Sequence, residues 1–169
     1  MLVDSLKFAR EKQVASGALP VAGFERLRDS LFDVPPDSGA GKLFYEVKGD
    51  ADARDNPVLR LKVSGRLPLQ CQRCLKVLDY ALAIDTTLRL VAEAALEAEM
   101  SDDPEEPDCV AASTAFDLVA LIEDEVLLAL PAYPRHEESE SSCVGSEAGA
   151  GTKRDSAFSV LSKLGTLKQ

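Results

Sequence analysis

The sequence predicts an α+β fold: an antiparallel β-sheet of about five strands, one long packing helix and short helical termini. Three patterns carry this. Across residues 43–92, apolar side chains recur at every second position in several runs. These runs are closely spaced and joined by short turns, which favours antiparallel pairing. Residues 115–130 then hold one apolar run at helical spacing.

Taken in order, residues 4–15 place Leu6, Phe8, Ala9 and Val14 among charges, as a short helix or an irregular arm. Phe24, Leu27 and Leu31 follow at helical spacing and predict a short amphipathic helix, ended by "DVPPDSGAG". "KLFYEVKG" puts Leu43, Tyr45 and Val47 on one face. "DADARDNP" reads as a loop. "VLRLKVSG" puts Leu59, Leu61 and Val63 on one face and Arg60, Lys62 and Ser64 on the other, with Gly65 opening a tight connection. After the CxxC of "LPLQCQRCLKV", alternation returns at Tyr80, Leu82 and Ile84, then at Leu88 and Leu90.

An acidic, proline-punctuated loop is expected near 97–112. Thr114 and Asp117 then form a T-x-x-D capping pattern. Leu118, Leu121, Ile122, Glu125, Leu128 and Ala129 trace a helical stripe that Glu125 interrupts, and Pro131 ends it. Glu125 suggests a basic partner such as Arg73 or Arg89, whereas Glu123 and Asp124 read as a solvated helix face. Residues 1–135 are therefore expected to be one α+β domain. Residues 136–169 are expected to be a polar, partly disordered tail with a short terminal helix around Phe158, Leu161 and Leu164.

The 169 residues carry a net charge of -10, unevenly spread. Residues 91–169 hold more than the whole of that negative charge, and residues 1–90 are slightly basic. Within 54–76, Arg54, Arg60, Lys62, Arg66, Arg73 and Lys76 face a single acid, Asp55. Such asymmetry points to nucleic-acid contact, to an acidic interaction segment, or to nothing beyond solvated surface. The N-terminus has no unbroken apolar centre of the export-signal kind, so the cytoplasm is the expected compartment and no membrane is expected.

The sequence gives little support to an enzyme. Its one histidine, His136, sits in a polar stretch with nothing rigid to hold it against a nucleophile. Glu123, Asp124 and Glu125 are consecutive on a helix and fan out around its axis. Three readings of Cys71 and Cys74 stay open: a redox pair, half of a zinc site, or small residues in a strand-turn. A redox CxxC opens a helix in a βαβ setting, whereas this one lies between strands. The other candidate ligands downstream are Cys109, His136 and Cys143.

"LPLQCQRCL", then "DLVALIEDEVLLALPAYPRHEESESSC", then "DSAFSVLSKL" resemble, in that order and spacing, the YceD family. These are the large ribosomal RNA subunit accumulation proteins of bacteria and plastids. The resemblance implies a non-enzymatic role in the synthesis, processing or stability of 23S ribosomal RNA during large-subunit biogenesis. It also implies zinc as the candidate cofactor, because relatives carry a fuller cysteine set after the helix. This chain keeps only His136 and Cys143 there, so the implied ligands are Cys71, Cys74, His136 and Cys143, with Cys109 left out in the acidic loop.

Two partner classes follow. Arg60, Lys62, Arg66, Arg73 and Lys76 are candidate contacts for ribosomal RNA phosphates in precursor large-subunit particles. Against this, the chain is acidic overall and has no aromatic-rich stacking platform. The alternative is an acidic adaptor that holds a basic ribosomal protein through Asp102, Asp103, Glu105, Glu106, Glu123 and Asp124.

Overall fold

The computed structural model of the chain describes residues 1–32, 41–99, 103 and 106–137. The chain separates into Met1–Arg135 and His136–Gln169, and the fold below is that of the first unit.

Strand β1 (Leu2–Val3) leads into helix α1 (Ser5–Arg10). The Asp4 carboxylate caps this helix by accepting the Lys7 N–H at 3.0 Å. Lys12, at φ 51°, turns the chain into β2 (Val14–Pro20). Two 3₁₀ turns, Val21–Gly23 and Leu27–Ser30, stand where a single amphipathic helix was expected. They nevertheless bury Phe24 and Leu27. Next come β3 (Lys42–Ala51), β4 (Pro57–Gln70) and β5 (Val77–Val91). A short helix α2 (Leu96–Glu99), strands β6 (Asp108–Ala111) and β7 (Phe116–Asp117), and helix α3 (Leu118–Ala129) complete the unit.

The main sheet runs β2-β3-β4-β5-β6, and β1 pairs with β7 in a small second sheet. The fold class is α+β, as the alternation implies, with two differences. The β5–β6 pair is parallel, so the sheet is mixed. Residues 92–107 supply the dozen or so residues that a parallel crossover needs. Helix α3 is also shorter than residues 115–130, because Asp117 itself is the N-cap, accepting the Val119 N–H at 3.0 Å, and Thr114 lies before it. Among the described residues no helix is long and apolar enough to cross a membrane.

Alternation sets the core. Leu43 and Val47 of β3, Leu59, Leu61, Val63, Leu67 and Leu69 of β4, and Leu82, Leu88 and Leu90 of β5 are buried. Each fully buried leucine contributes about 1.5–3 kcal/mol. Helix α3 closes this layer with Leu118, Leu121, Ile122 and Val126. Its buried face is rotated from the expected stripe, since Leu128 is 79% exposed and Glu123 is buried. Gly65 opens no turn. It lies inside β4, where an added Cβ would come within 2.7 Å of the Lys42 carbonyl.

Candidate functional site

The cysteine hairpin is built by local hydrogen bonding. β4 and β5 stay paired to Gln70↔Val77, which leaves Cys71–Lys76 as the connecting turn. The Cys71 N–H donates to the Lys76 carbonyl at 2.9 Å, and the Leu75 N–H donates to the Cys71 carbonyl at 2.9 Å. Leu75 reaches this position at φ 60°, a left-handed conformation that glycine or asparagine adopts more cheaply. Cys71 is buried and Cys74 half-buried. Their sulfurs lie within 4.8 Å of one another. A tetrahedral zinc with Zn–S bonds of about 2.3 Å places two sulfurs roughly 3.8 Å apart, inside that limit. The turn is also tied to the chain after α3: the Gln72 N–H donates to the Pro134 carbonyl at 2.8 Å. His136 follows Pro134 and Arg135 in the chain, and Cys143 lies outside the described residues.

Cys109 belongs to a different cluster. The Arg89 guanidinium, only 8% exposed, donates through Nη2 to the Glu99 carbonyl at 3.0 Å and to Cys109 Sγ at 3.3 Å. The Cys109 thiol in turn donates to the Glu99 carbonyl at 3.3 Å. This network ties α2 to β6.

The second feature is the solvent face of the main sheet. Arg60, Lys62 and Arg66 are all exposed on it. Cross-strand register gives each an acid that the sequence did not show. Arg60 Nε lies 3.1 Å from Asp50 Oδ2, Lys62 Nζ 3.0 Å from Asp85 Oδ2, and Arg66 Nε 2.8 Å from Asp79 Oδ2. These pairs lie at the surface, with Asp50 half-buried, so solvent screens them and each can be exchanged for another anion. The Asp50 carboxyl is held below the usual carboxylate range by the Ala51 N–H first and by Arg60 second. Arg73 and Lys76 are exposed on the hairpin.

The acidic candidates divide. Glu123 is not on a solvated face: it is buried and receives the Arg26 and Leu27 backbone N–H groups and the Arg26 side chain. Asp124 is exposed and also holds Arg26. Glu106 pairs with Arg54 at 3.7 Å and donates its N–H to the Asp103 carbonyl. Asp102 and Glu105 lie outside the described residues. The charges acting on Glu125 are carboxylates, Asp108 and Asp124, not the arginines expected for it.

Phe44 escaped the sequence reading. It is 59% exposed on the same sheet face as Arg60, Lys62 and Arg66. The alternation that puts Leu43, Tyr45 and Val47 on one face puts Phe44 on the other, so counting alone could have found it.

These features define an α+β protein with a cysteine-tipped hairpin and a mixed-charge open sheet face. A family model described as large ribosomal RNA subunit accumulation protein YceD matches residues 59–165. The chain belongs to this family. It is 29% identical, over 97% of its length and 94% of the relative's, to the large ribosomal RNA subunit accumulation protein YceD of Haemophilus influenzae. No solved structure matches.

Proposed function

We propose that this protein is a non-enzymatic factor in the accumulation of large-subunit ribosomal RNA, contacting 23S RNA or its precursor particles through the open face of the main sheet. The name carried by the family and by the Haemophilus influenzae relative supports the RNA. The observation that carries the contact is the run of exposed Arg60, Lys62 and Arg66 along β4, each paired at the surface with a carboxylate. RNA phosphates replace such carboxylates at little cost, and counterion release makes the binding salt-dependent. Arg73 and Lys76 extend the same charge onto the hairpin. The groove of about 570 Å³ between the hairpin and the end of α3 is lined, among the described residues, by residues such as Leu69, Gln72, Leu127 and Pro134 and by no titratable side chain.

Zinc is part of the proposal, as a structural ion at the hairpin. Cys71 and Cys74 supply two ligands from a turn already shaped for them, and His136 and Cys143 are the proposed third and fourth. An ion there would fasten the hairpin tip and contribute no chemistry of reaction.

The test is association with precursor large-subunit particles. The combined change Arg60→Gln, Lys62→Gln and Arg66→Gln should weaken it and reduce the salt slope by about one for each phosphate that is no longer neutralised. Neutralising Asp102, Asp103, Glu105 and Glu106 should leave it intact. The reverse pattern would transfer the function to the adaptor for a basic ribosomal protein. That reading is weakened because Glu123 and Asp124 are already occupied by Arg26 within the chain.

A further inference from the structure

We propose that Phe44 is a stacking platform for one unpaired RNA base, on the open face of the main sheet. The inference rests on the RNA reading above and names the nucleotide feature that this face would take.

The placement follows from register. Ala18, Phe44, Ser64 and Ala83 lie opposite one another across β2, β3, β4 and β5, so they form one row on one face. All four are exposed. The three neighbours in this row are small, and the long side chains nearest the ring, Lys42 and Glu46, stand two residues away along β3. Phe44 contributes nothing to the core, which takes Leu43, Tyr45 and Val47 from the same strand.

The surroundings suit a nucleotide rather than an apolar partner. Lys62 and Arg66 flank Ser64 at two residues' distance along β4, about 7 Å to either side of the row. A base lying on the ring therefore has cations on both sides for its flanking phosphates. The face also carries Lys48 and Arg60, against Glu46, Asp50, Asp79 and Asp85. Charge of both signs around a single aromatic excludes a dry protein–protein core, whereas exposed ion pairs yield to phosphate. Bases in a duplex are already stacked, so the ring reads single-stranded RNA.

The chain contains no tryptophan, so Phe44→Trp introduces a single reporter at this position. Full-length protein is titrated with a short mixed-sequence single-stranded RNA, and with the same RNA in a duplex, at several salt concentrations. Phe44→Trp should keep its affinity, and its emission should be quenched by the single strand but not by the duplex. Phe44→Leu, which keeps an apolar side chain without a π face, should bind the single strand roughly 5- to 150-fold more weakly with an unchanged salt slope. Suppose instead that Phe44→Leu binds like the parent and the tryptophan is not quenched, while the Arg60/Lys62/Arg66 glutamine variant no longer binds. The platform is then wrong and the phosphate contact stands. Failure of the unaltered protein to bind RNA overturns both. A shift of Phe44→Leu from dimer to monomer, with no change in RNA affinity, would assign the ring to a second copy and overturn the platform.

Discussion

Arg26 Nη2 lies 3.0 Å from Glu123 Oε2, and Glu123 Oε1 accepts the Arg26 backbone N–H at 2.8 Å. One carboxylate thus fastens the 3₁₀ turn Leu27–Ser30 to helix α3. Burial pushes the Glu123 carboxyl up, but the hydrogen bonds from the Arg26 side chain and from the Arg26 and Leu27 N–H groups outweigh it and hold it below the ordinary range. The Arg26 side chain is half-exposed, so its charge is screened and the backbone donors matter more. Glu123→Gln should cost about 1–3 kcal/mol at neutral pH. Because the folded-state value is depressed, this stability is present above the unfolded value of about 4.3 and is lost as pH falls through the folded one. Denaturant titrations should show the deficit of Glu123→Gln shrinking in acid. A deficit independent of pH would point to shape alone.

Gly49 sets how closely α1 approaches β3. A Cβ there would stand 2.2 Å from the Phe8 carbonyl oxygen and 2.6 Å from the Ala9 Cα, and both obstacles are backbone. The Gly49 N–H also donates to the Gln13 carbonyl at 2.9 Å. Gly49→Ala must therefore push the helix off the sheet, at a cost of about 1–3 kcal/mol or more. A fall in the denaturation midpoint measures it, and an unchanged midpoint would mean that α1 is easily displaced.

Leu75 offers a gain. Its φ of 60° places a branched, 62% exposed side chain in the left-handed region. Leu75→Asn should relieve about 1 kcal/mol of backbone strain without disturbing the core. Thermal denaturation should show a higher midpoint. A lower one would mean that the leucine side chain stabilises the turn by more than the strain costs.

The metal proposal predicts stoichiometric zinc in the purified full-length protein. Cys71→Ser, Cys74→Ser and Cys143→Ser should each abolish it, whereas Cys109→Ser should keep it, because Cys109 is bonded to Arg89 and Glu99. Elemental analysis decides. A parent protein without zinc leaves Cys71 and Cys74 as structural residues of the turn.

Much of the sheet was legible because alternation is a local property. Leu43, Val47, Leu59, Leu61 and Val63 could be assigned to the core by counting in twos. Strand β2 was not legible, since "VASGALP" has little apolar weight. It pairs because β3 offers it an edge and because Gly17 leaves room for the Tyr45 ring. β6 was hidden behind the prolines and acids of residues 104–107. The phase of α3 was misread because the bond that rotates Glu123 inward comes from Arg26, far away in sequence. The same limit applies to the charged face. Arg60, Lys62 and Arg66 were visible as a strip, but Asp50, Asp85 and Asp79 reach them only through cross-strand register.

Glu125 stands two positions beyond Glu123 on α3 and titrates in the opposite sense. Burial raises its carboxyl pKa first, and the negative charges of Asp108 and Asp124 raise it further. A raised folded-state value means that the folded protein favours the protonated carboxyl. Its contribution is therefore fully present below the unfolded value of about 4.3 and is lost as pH rises through the folded value. At neutral pH, above the unfolded value, Glu125 therefore opposes folding. Glu125→Gln removes that charge at nearly constant shape and should raise the thermal midpoint at pH 7. The advantage should fade as the pH falls toward about 4, where the native carboxyl is protonated and the two proteins become alike. Glu123→Gln run alongside should keep its deficit over this descent and lose it only below about 4, as the pH falls through the depressed Glu123 value. An advantage for Glu125→Gln that persists unchanged in acid would mean that the glutamine gains a hydrogen bond and that the carboxylate repulsion is too weak to matter.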